Sequence, residues 1–135
     1  MELVNMYLTV SEDTKGLSGI INLPIDEACY LEYDGSFKGV SVNTLKGNYY
    51  MNGALGYWEN MLKAEGFQFQ KVDRNVIVNV PKVVFLDPIF KVAYFEEETT
   101  AKSIKCQLAW HGFTKIAKEF QLVKPEIIIR RAVLG

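Results

Sequence analysis

The chain has 135 residues, a net charge of −1 and two cysteines. This length predicts one domain that buries a core without disulfides or metals. Apolar residues make up 49% and charged residues 23%, which excludes a disordered chain. The sequence contains no apolar run of the roughly 18 residues that a membrane helix needs, and Glu2 stands where a signal peptide carries basic residues, so we expect the N-terminus not to be a signal peptide. We therefore expect a cytoplasmic protein with Cys29 and Cys106 as reduced core thiols.

Charge is distributed unevenly along the chain. Residues 1–100 hold 8 basic and 14 acidic side chains, whereas residues 101–135 hold 7 basic and 2 acidic ones. A basic C-terminal third is a candidate footprint for an anionic partner. Because solvated surface charge gives the same asymmetry, charge alone does not identify that partner.

Strand signals dominate the sequence. Alternating or β-branched apolar residues are bounded by turn sequences such as Asp34-Gly35-Ser36 and Lys46-Gly47-Asn48. The predicted strands cover residues 25–33, 37–45, 49–51, 76–80, 83–86, 90–95, 104–110 and 127–129. Since short turns join antiparallel neighbours, the first three strands predict an antiparallel meander.

Two segments have helical spacing instead. In residues 54–65 the apolar side chains recur three and four positions apart, which predicts a helix with Asn52 as N-cap and Gly66 after its C-terminus. Residues 114–122 predict a second short helix that ends before Pro125. Both tryptophans, Trp58 and Trp110, are interpreted as core aromatics.

The residues needed for common catalytic or metal sites are missing. His111 is the single histidine, and neither a nucleophile elbow nor a phosphate-binding glycine loop occurs. With Cys29 and Cys106, His111 supplies three of the four ligands that structural zinc requires. We therefore expect no enzymatic activity, no metal and no cofactor.

The segment from Phe67 to Asn79, FQFQKVDRNVIVN, resembles the signature of LytTR-type DNA-binding domains. Members of that family carry an aromatic residue, a basic residue and a His-Arg-Ser-like tripeptide that leads into a strand-ending Val-Asn. The order of the neighbouring elements is also similar: a Tyr-Leu-Glu strand at 30–32, a Leu-rich helix at 55–62 and a β-branched segment at 81–87. The resemblance covers residues 22–115. Residues 1–21 are then an N-terminal segment packing on the domain, and residues 116–135 a C-terminal extension with a short helix and a strand.

The resemblance implies a mainly β fold, an elongated stack of small antiparallel sheets with one or two short helices. It also implies a stand-alone bacterial transcription regulator that binds double-stranded DNA sequence-specifically. In the family, loops between strands read bases in the major groove, and two copies often bind direct repeats. Homodimerisation or self-association on such repeats is therefore an expectation here.

The resemblance places seven candidate DNA-binding residues on three loop regions. The side-chain hydrogen-bonding geometry of Arg74 matches guanine and that of Asn75 matches adenine, whereas lysines more often contact phosphates. Two positions depart from the family: Asp73 replaces its histidine and Asn75 its serine, so Asp73 is expected to orient Arg74 or cap the turn. The seven candidates are Lys38, Lys71, Arg74, Asn75, Lys105, His111 and Lys115.

Two other functions compete with this interpretation. The net negative charge and Asp73 are compatible with a protein-interaction module that keeps a LytTR-like fold but has lost DNA binding. A small-molecule sensor or enzyme would need a pocket, for which Glu32, Cys106 and His111 are the candidate lining. Each candidate contact also has a structural alternative, such as an ion pair of Arg74 with Asp73 or Asp87, or a turn hydrogen bond of Asn75.

Overall fold

The computed structural model describes residues 6–134. Within them the structure has eleven strands, of which eight correspond to predicted segments, and the two segments with helical spacing form α-helices. The strands are β1 (Tyr7–Val10), β2 (Ile21–Pro24), β3 (Tyr30–Asp34), β4 (Gly39–Asn43), β5 (Asn48–Asn52), β6 (Phe69–Asp73), β7 (Val76–Asn79), β8 (Phe85–Asp87), β9 (Val92–Tyr94), β10 (Lys105–Gln107) and β11 (Ile128–Ile129). Strands β1, β2 and β6 were not predicted. The helices are α1 (Leu55–Ala64) and α2 (Phe113–Val123).

The strands make three small sheets. Strands β1 and β2 form a hairpin, and the five-stranded central sheet has the order β5-β4-β3-β7-β6 with antiparallel neighbours. The third sheet has the order β10-β9-β8-β11, in which only the β8–β11 pair is parallel. The predicted meander is therefore confirmed as β3-β4-β5, and the mainly β stack of small sheets is the observed fold.

The strand predicted over residues 25–33 is wrong in its first half. Ile25–Glu27 is a single 3₁₀ turn after Pro24, closed by the Ala28 amide donating to the Ile25 carbonyl over 3.0 Å. This turn lets the chain leave the small hairpin at β2 and enter the central sheet at Tyr30. One continuous strand over 25–33 would be unable to serve both sheets.

Helix α1 confirms the predicted apolar stripe, with Leu55 and Leu62 buried. Gly66 follows its C-terminus with φ 89°, a conformation in which glycine avoids the steric cost of a Cβ. The predicted N-cap is wrong: the helix begins after Ala54 without a side-chain cap. Asn52 instead belongs to β5, and its carbonyl accepts a 2.8 Å hydrogen bond from the Trp58 indole.

Two apolar cores lie on opposite faces of the central sheet. The first joins that sheet to the β1–β2 hairpin and α1, and the second joins it to the third sheet and α2. Side chains of β3 and β7 alternate between them; Leu31 and Ile77 belong to the first core and Val76 and Val78 to the second. Cys29 and Cys106 are both buried in the second core.

The C-terminal segment is an integral part of the third sheet. Strand β11 pairs with β8, and the Ala132 amide donates to the Asp87 carboxylate over 3.0 Å. Ala132 also packs on the stacked rings of Phe85 and Tyr94. The rings of Phe85 and Tyr94 are thereby buried beneath the tail. Of the helices in residues 6–134, none has the length and apolar character to span a membrane.

Candidate nucleic-acid interface

Two turns that carry candidate residues emerge at the same end of the central sheet. Strand β3 pairs with β4 on one side and with β7 on the other, so the turn after β3 and the turn before β7 are neighbours. The Tyr33 amide donates to the Asn75 carbonyl over 2.9 Å and joins them directly. We name residues 35–38 the first tip and residues 74–75 the second tip.

The first tip is a tight turn held by Asp34. The carboxylate of Asp34 accepts hydrogen bonds from the amide and hydroxyl of Ser36, at 2.9 and 2.6 Å, and these bonds lower the pKa of Asp34. Lys38 closes the turn with φ 57°, a left-handed conformation that is uncommon outside glycine, asparagine and aspartate. The Lys38 side chain is exposed at the end of the turn, directly before β4.

The second tip presents Arg74 and Asn75 to solvent. Asp73 accepts a 2.7 Å hydrogen bond from the Arg74 amide, so it caps the turn as expected from its position in the signature. Within residues 6–134, Arg74 forms no ion pair with Asp73 or Asp87, and the Asn75 side chain accepts or donates no hydrogen bond. Lys71 lies on β6, exposed three residues before Arg74 and beside buried Val72. These side chains are therefore available to a partner.

A third loop region joins this end of the sheet through β6. The Ala109 amide donates to the Val72 carbonyl over 3.1 Å, which places the connection between β10 and α2 beside the second tip. We name residues 109–112 the third tip. His111 is exposed within it, and Gly112, which directly precedes α2, has φ 92°, where a residue with a Cβ would be strained. The third tip thus runs from the hydrogen bond with β6 to the start of α2.

The remaining two candidates lie away from the tips. Lys105 pairs with Tyr94, at the end of β10 opposite to the third tip, because the chain turns out of the strand after Gln107. Lys115 lies in the first turn of α2, exposed, with its ammonium 3.8 Å from the Glu119 carboxylate. Fold geometry thus brings Lys38, Arg74 and Asn75 together with His111 nearby, and leaves Lys105 apart.

Three carboxylates, those of Glu32, Asp34 and Asp73, lie at the same end of the central sheet as the first two tips. Partial burial, together with the nearby charges of Asp34 and Asp73, raises the pKa of Glu32. Glu32 is on β3 opposite Val76, which puts it between the tips. These acids weaken the positive potential that Lys38 and Arg74 create.

Sequence reasoning missed one residue of the third tip and one residue that contacts it. Trp110 was predicted to be a core aromatic, but its side chain is 58% exposed. Lys91 lies in the β8–β9 turn within the segment predicted as strand 90–95, and its ammonium is 5.3 Å from the centre of the Trp110 ring. The Asp87-Pro88 pair was a signal that Lys91 could belong to a turn. The pair predicts where a turn begins but not how many residues it contains.

The residues proposed for a pocket do not line one together. Cys106 is buried in the second core, where desolvation raises the pKa of its thiol, whereas His111 is exposed. Two open cavities of about 440 and 460 Å³ lie instead around α1 and the β1–β2 hairpin, and neither includes Glu32, Cys106 or His111. Among residues 6–134, no three potential metal ligands cluster.

Comparison with known proteins agrees with this architecture. Residues 18–109 match the family model of the LytTr DNA-binding domain. A solved structure from Bacillus cereus, described as the LytTr DNA-binding domain of a methyl-accepting/DNA response regulator, superposes with a TM-score of 0.64 at 17% identity and covers 87% of this chain and 97% of its own. No curated protein matches this sequence significantly. The family match spans more than half of the chain, and the chain therefore belongs to the LytTR family of DNA-binding domains.

Proposed function

We propose that this protein is a sequence-specific regulator of transcription that reads the major groove of double-stranded DNA through its three tips. Two backbone hydrogen bonds support this most, because they bring the three tips side by side. The Tyr33 amide, next to the first tip, donates to the Asn75 carbonyl of the second tip, and the Ala109 amide of the third tip donates to the Val72 carbonyl, next to the second tip. Turns far apart in sequence thus offer one surface with exposed cations. DNA recognition needs such a surface because phosphate contacts set the register and base contacts set the sequence.

The side chains of the three tips suit different parts of the duplex. The guanidinium of Arg74 is a planar donor that matches guanine O6 and N7, and the Asn75 amide matches adenine N6 and N7. His111 is a further base-reading candidate. The flexible cations of Lys38 and Lys71 are suited to phosphates, with Lys115 as a more distant candidate. Lys105 is the least favoured candidate, because it faces the other end of β10.

A selection experiment tests this function. Duplexes bound by the intact chain would be recovered from a random pool at two salt concentrations and sequenced. We expect a defined motif and an affinity that falls steeply with salt, by about 0.9 in log K per phosphate neutralised for each unit of log salt. Motifs arranged as direct repeats would support self-association on DNA. Recovery of unselected sequences, or of none, would refute sequence-specific binding.

One observation favours a second function, a protein-interaction module. The carboxylates of Glu32, Asp34 and Asp73 lie around the first two tips and oppose binding to phosphates. A cationic protein surface would meet less repulsion there than DNA does. The two functions differ in their response to Glu32→Gln, which should strengthen binding to DNA and weaken binding to a cationic partner.

A further inference from the structure

The side chain of Lys91 contacts two aromatic rings and a backbone carbonyl although the residue lies in a surface turn. Its backbone adopts φ 55°, uncommon for a lysine. The ammonium lies 5.3 Å from the centre of the Trp110 ring and 4.8 Å from the centre of the Phe113 ring, and it donates to the Pro88 carbonyl over 3.1 Å. Both ring distances are within the range of a cation–π interaction.

The two aromatic partners of Lys91 lie on either side of His111. Trp110 precedes His111, and Phe113 begins α2 two residues after it. The backbone adds a second link, because the Lys91 carbonyl accepts a 2.8 Å hydrogen bond from the Leu108 amide. The Gln107 side chain donates to the same carbonyl over 3.0 Å. The β8–β9 turn therefore holds the third tip by its main chain and by its cation.

The exposure of the Trp110 ring indicates that this contact does more than complete the core. Phe113 is buried in the second core, but Trp110 is 58% exposed at the surface of the third tip. A large ring left in water is free to take several rotamers unless a specific contact restrains it. Lys91 supplies that contact, and the restraint acts on the residue adjacent to His111.

We propose that Lys91 is a positioning residue for DNA recognition: its ammonium, held between Trp110 and Phe113, fixes the third tip so that His111 is presented to the duplex in one orientation. This inference rests on the proposed function. Ordering the tip before binding lowers the conformational entropy lost on binding, which strengthens the complex without a new contact to DNA. Lys91 acts through His111 and does not itself neutralise a phosphate.

Binding of the selected duplex and of a random duplex by Lys91→Met, Lys91→Arg and Lys91→Met/His111→Ala tests this role. Methionine keeps the length of the side chain and removes the charge. We expect Lys91→Met to lower the affinity for the selected duplex about 2- to 5-fold, the effect of losing one cation–π contact. The slope of log K against log salt should not change. Arginine should restore binding because a guanidinium also stacks on aromatic rings. In the His111→Ala background, Lys91→Met should have no further effect.

Three outcomes would overturn the inference. A salt slope that falls by about 0.9 for both duplexes would make Lys91 a phosphate contact. An unchanged affinity, or an equal loss with and without His111, would remove the proposed link to His111. If the wild-type chain bound neither duplex, the proposed function would fail first and the inference with it. Lys63→Met, on the exposed face of α1, is the matched control and should leave both affinities unchanged.

A measurement on the free protein tests whether Lys91 orders the third tip, independently of DNA binding. In a ¹H–¹⁵N spectrum of Lys91→Met, the Trp110 indole and the amides of residues 109–112 should shift, while the Trp58 indole on α1 should not. Unshifted signals from the third tip would show that Lys91 does not order it. Shifted signals in a variant that binds the selected duplex like wild type would show that ordering is irrelevant to recognition.

Discussion

The amide of Ala109 donates a 3.1 Å hydrogen bond to the carbonyl of Val72, and this bond joins a connection near the C-terminus to the edge strand of the central sheet. Val72 is buried two residues before Arg74, so the link is close to the second tip. Because Ala109 directly precedes Trp110, this bond holds the start of the third tip beside β6. Recognition by the three tips would then behave as binding by one surface.

Arg74→Ala should weaken binding to the selected duplex by about 1–3 kcal/mol and relax preference at one base position, because the bidentate contact to guanine is lost. The fold should be unaffected, since the Arg74 side chain is exposed and its amide remains bonded to Asp73. Titration of duplexes with every base at that position measures the effect. An equal loss on selected and random duplexes would show that Arg74 only contacts the backbone.

Lys38→Asn should reduce the salt dependence of binding while leaving the first tip folded. Asparagine tolerates the left-handed conformation that Lys38 adopts at φ 57°, so the substitution removes charge without adding backbone strain. The slope of log K against log salt should become about 0.9 less steep for selected and random duplexes alike. An unchanged slope would exclude Lys38 as a phosphate contact.

Glu32→Gln should strengthen DNA binding, because it removes a negative charge between the first two tips. Its raised pKa adds a pH dependence: the folded state holds the Glu32 proton more tightly than the unfolded state does. Stability therefore falls as pH rises through the unfolded and then the folded pKa, so the glutamine variant should also be more stable at neutral pH. DNA titrations and urea unfolding at pH 5 and pH 7 should show the difference between wild type and variant shrinking at the lower pH.

Two substitutions at Asp73 separate the effect of its charge on DNA binding from the effect of its hydrogen bond on stability. Asp73→Asn keeps an oxygen that can accept from the Arg74 amide, whereas Asp73→Ala removes it. The asparagine variant should bind DNA more tightly than wild type with little change in stability, and the alanine variant should lose about 0.5–1.5 kcal/mol of unfolding free energy. If both variants bound DNA equally well and unfolded alike, the cap would have no role in ordering Arg74.

Asp87→Ala should destabilise the fold by about 1–3 kcal/mol, since it removes the acceptor for several backbone donors. The Asp87 carboxylate accepts from Ile89 and Phe90 at 2.8 and 3.2 Å and from Ala132 at 3.0 Å. Burial acts to raise the pKa of Asp87, but the backbone donors and the charge of Arg131 outweigh it and lower the pKa. Stability from Asp87 is thus present above its unfolded pKa and is lost as pH falls through the folded value. Urea unfolding at neutral and acidic pH should show the cost of the substitution disappearing in acid.

Several features of the fold follow from local sequence. The alternation in residues 37–45, the turn at Asp34 and the stripe of α1 each depend on neighbours in the chain, and the structure confirms them. Burial of Cys29 and Cys106 follows from their place among apolar residues. The signature at residues 67–79 likewise forms one hairpin, β6 and β7, in which Asp73 caps the turn.

Contacts between residues far apart in the sequence decided the features that local sequence did not predict. The sequence by itself determined most of the strands, the family and the exposed residues of the first two tips, because turn chemistry and period-2 alternation act over a few residues. Only the tertiary structure decided that Trp110 is exposed, that Lys91 holds it and that Lys105 faces away, since these depend on where β6 and the β8–β9 turn meet the end of β10. Residues 72 and 109 become neighbours only when two sheets pack, and no local pattern encodes that distance.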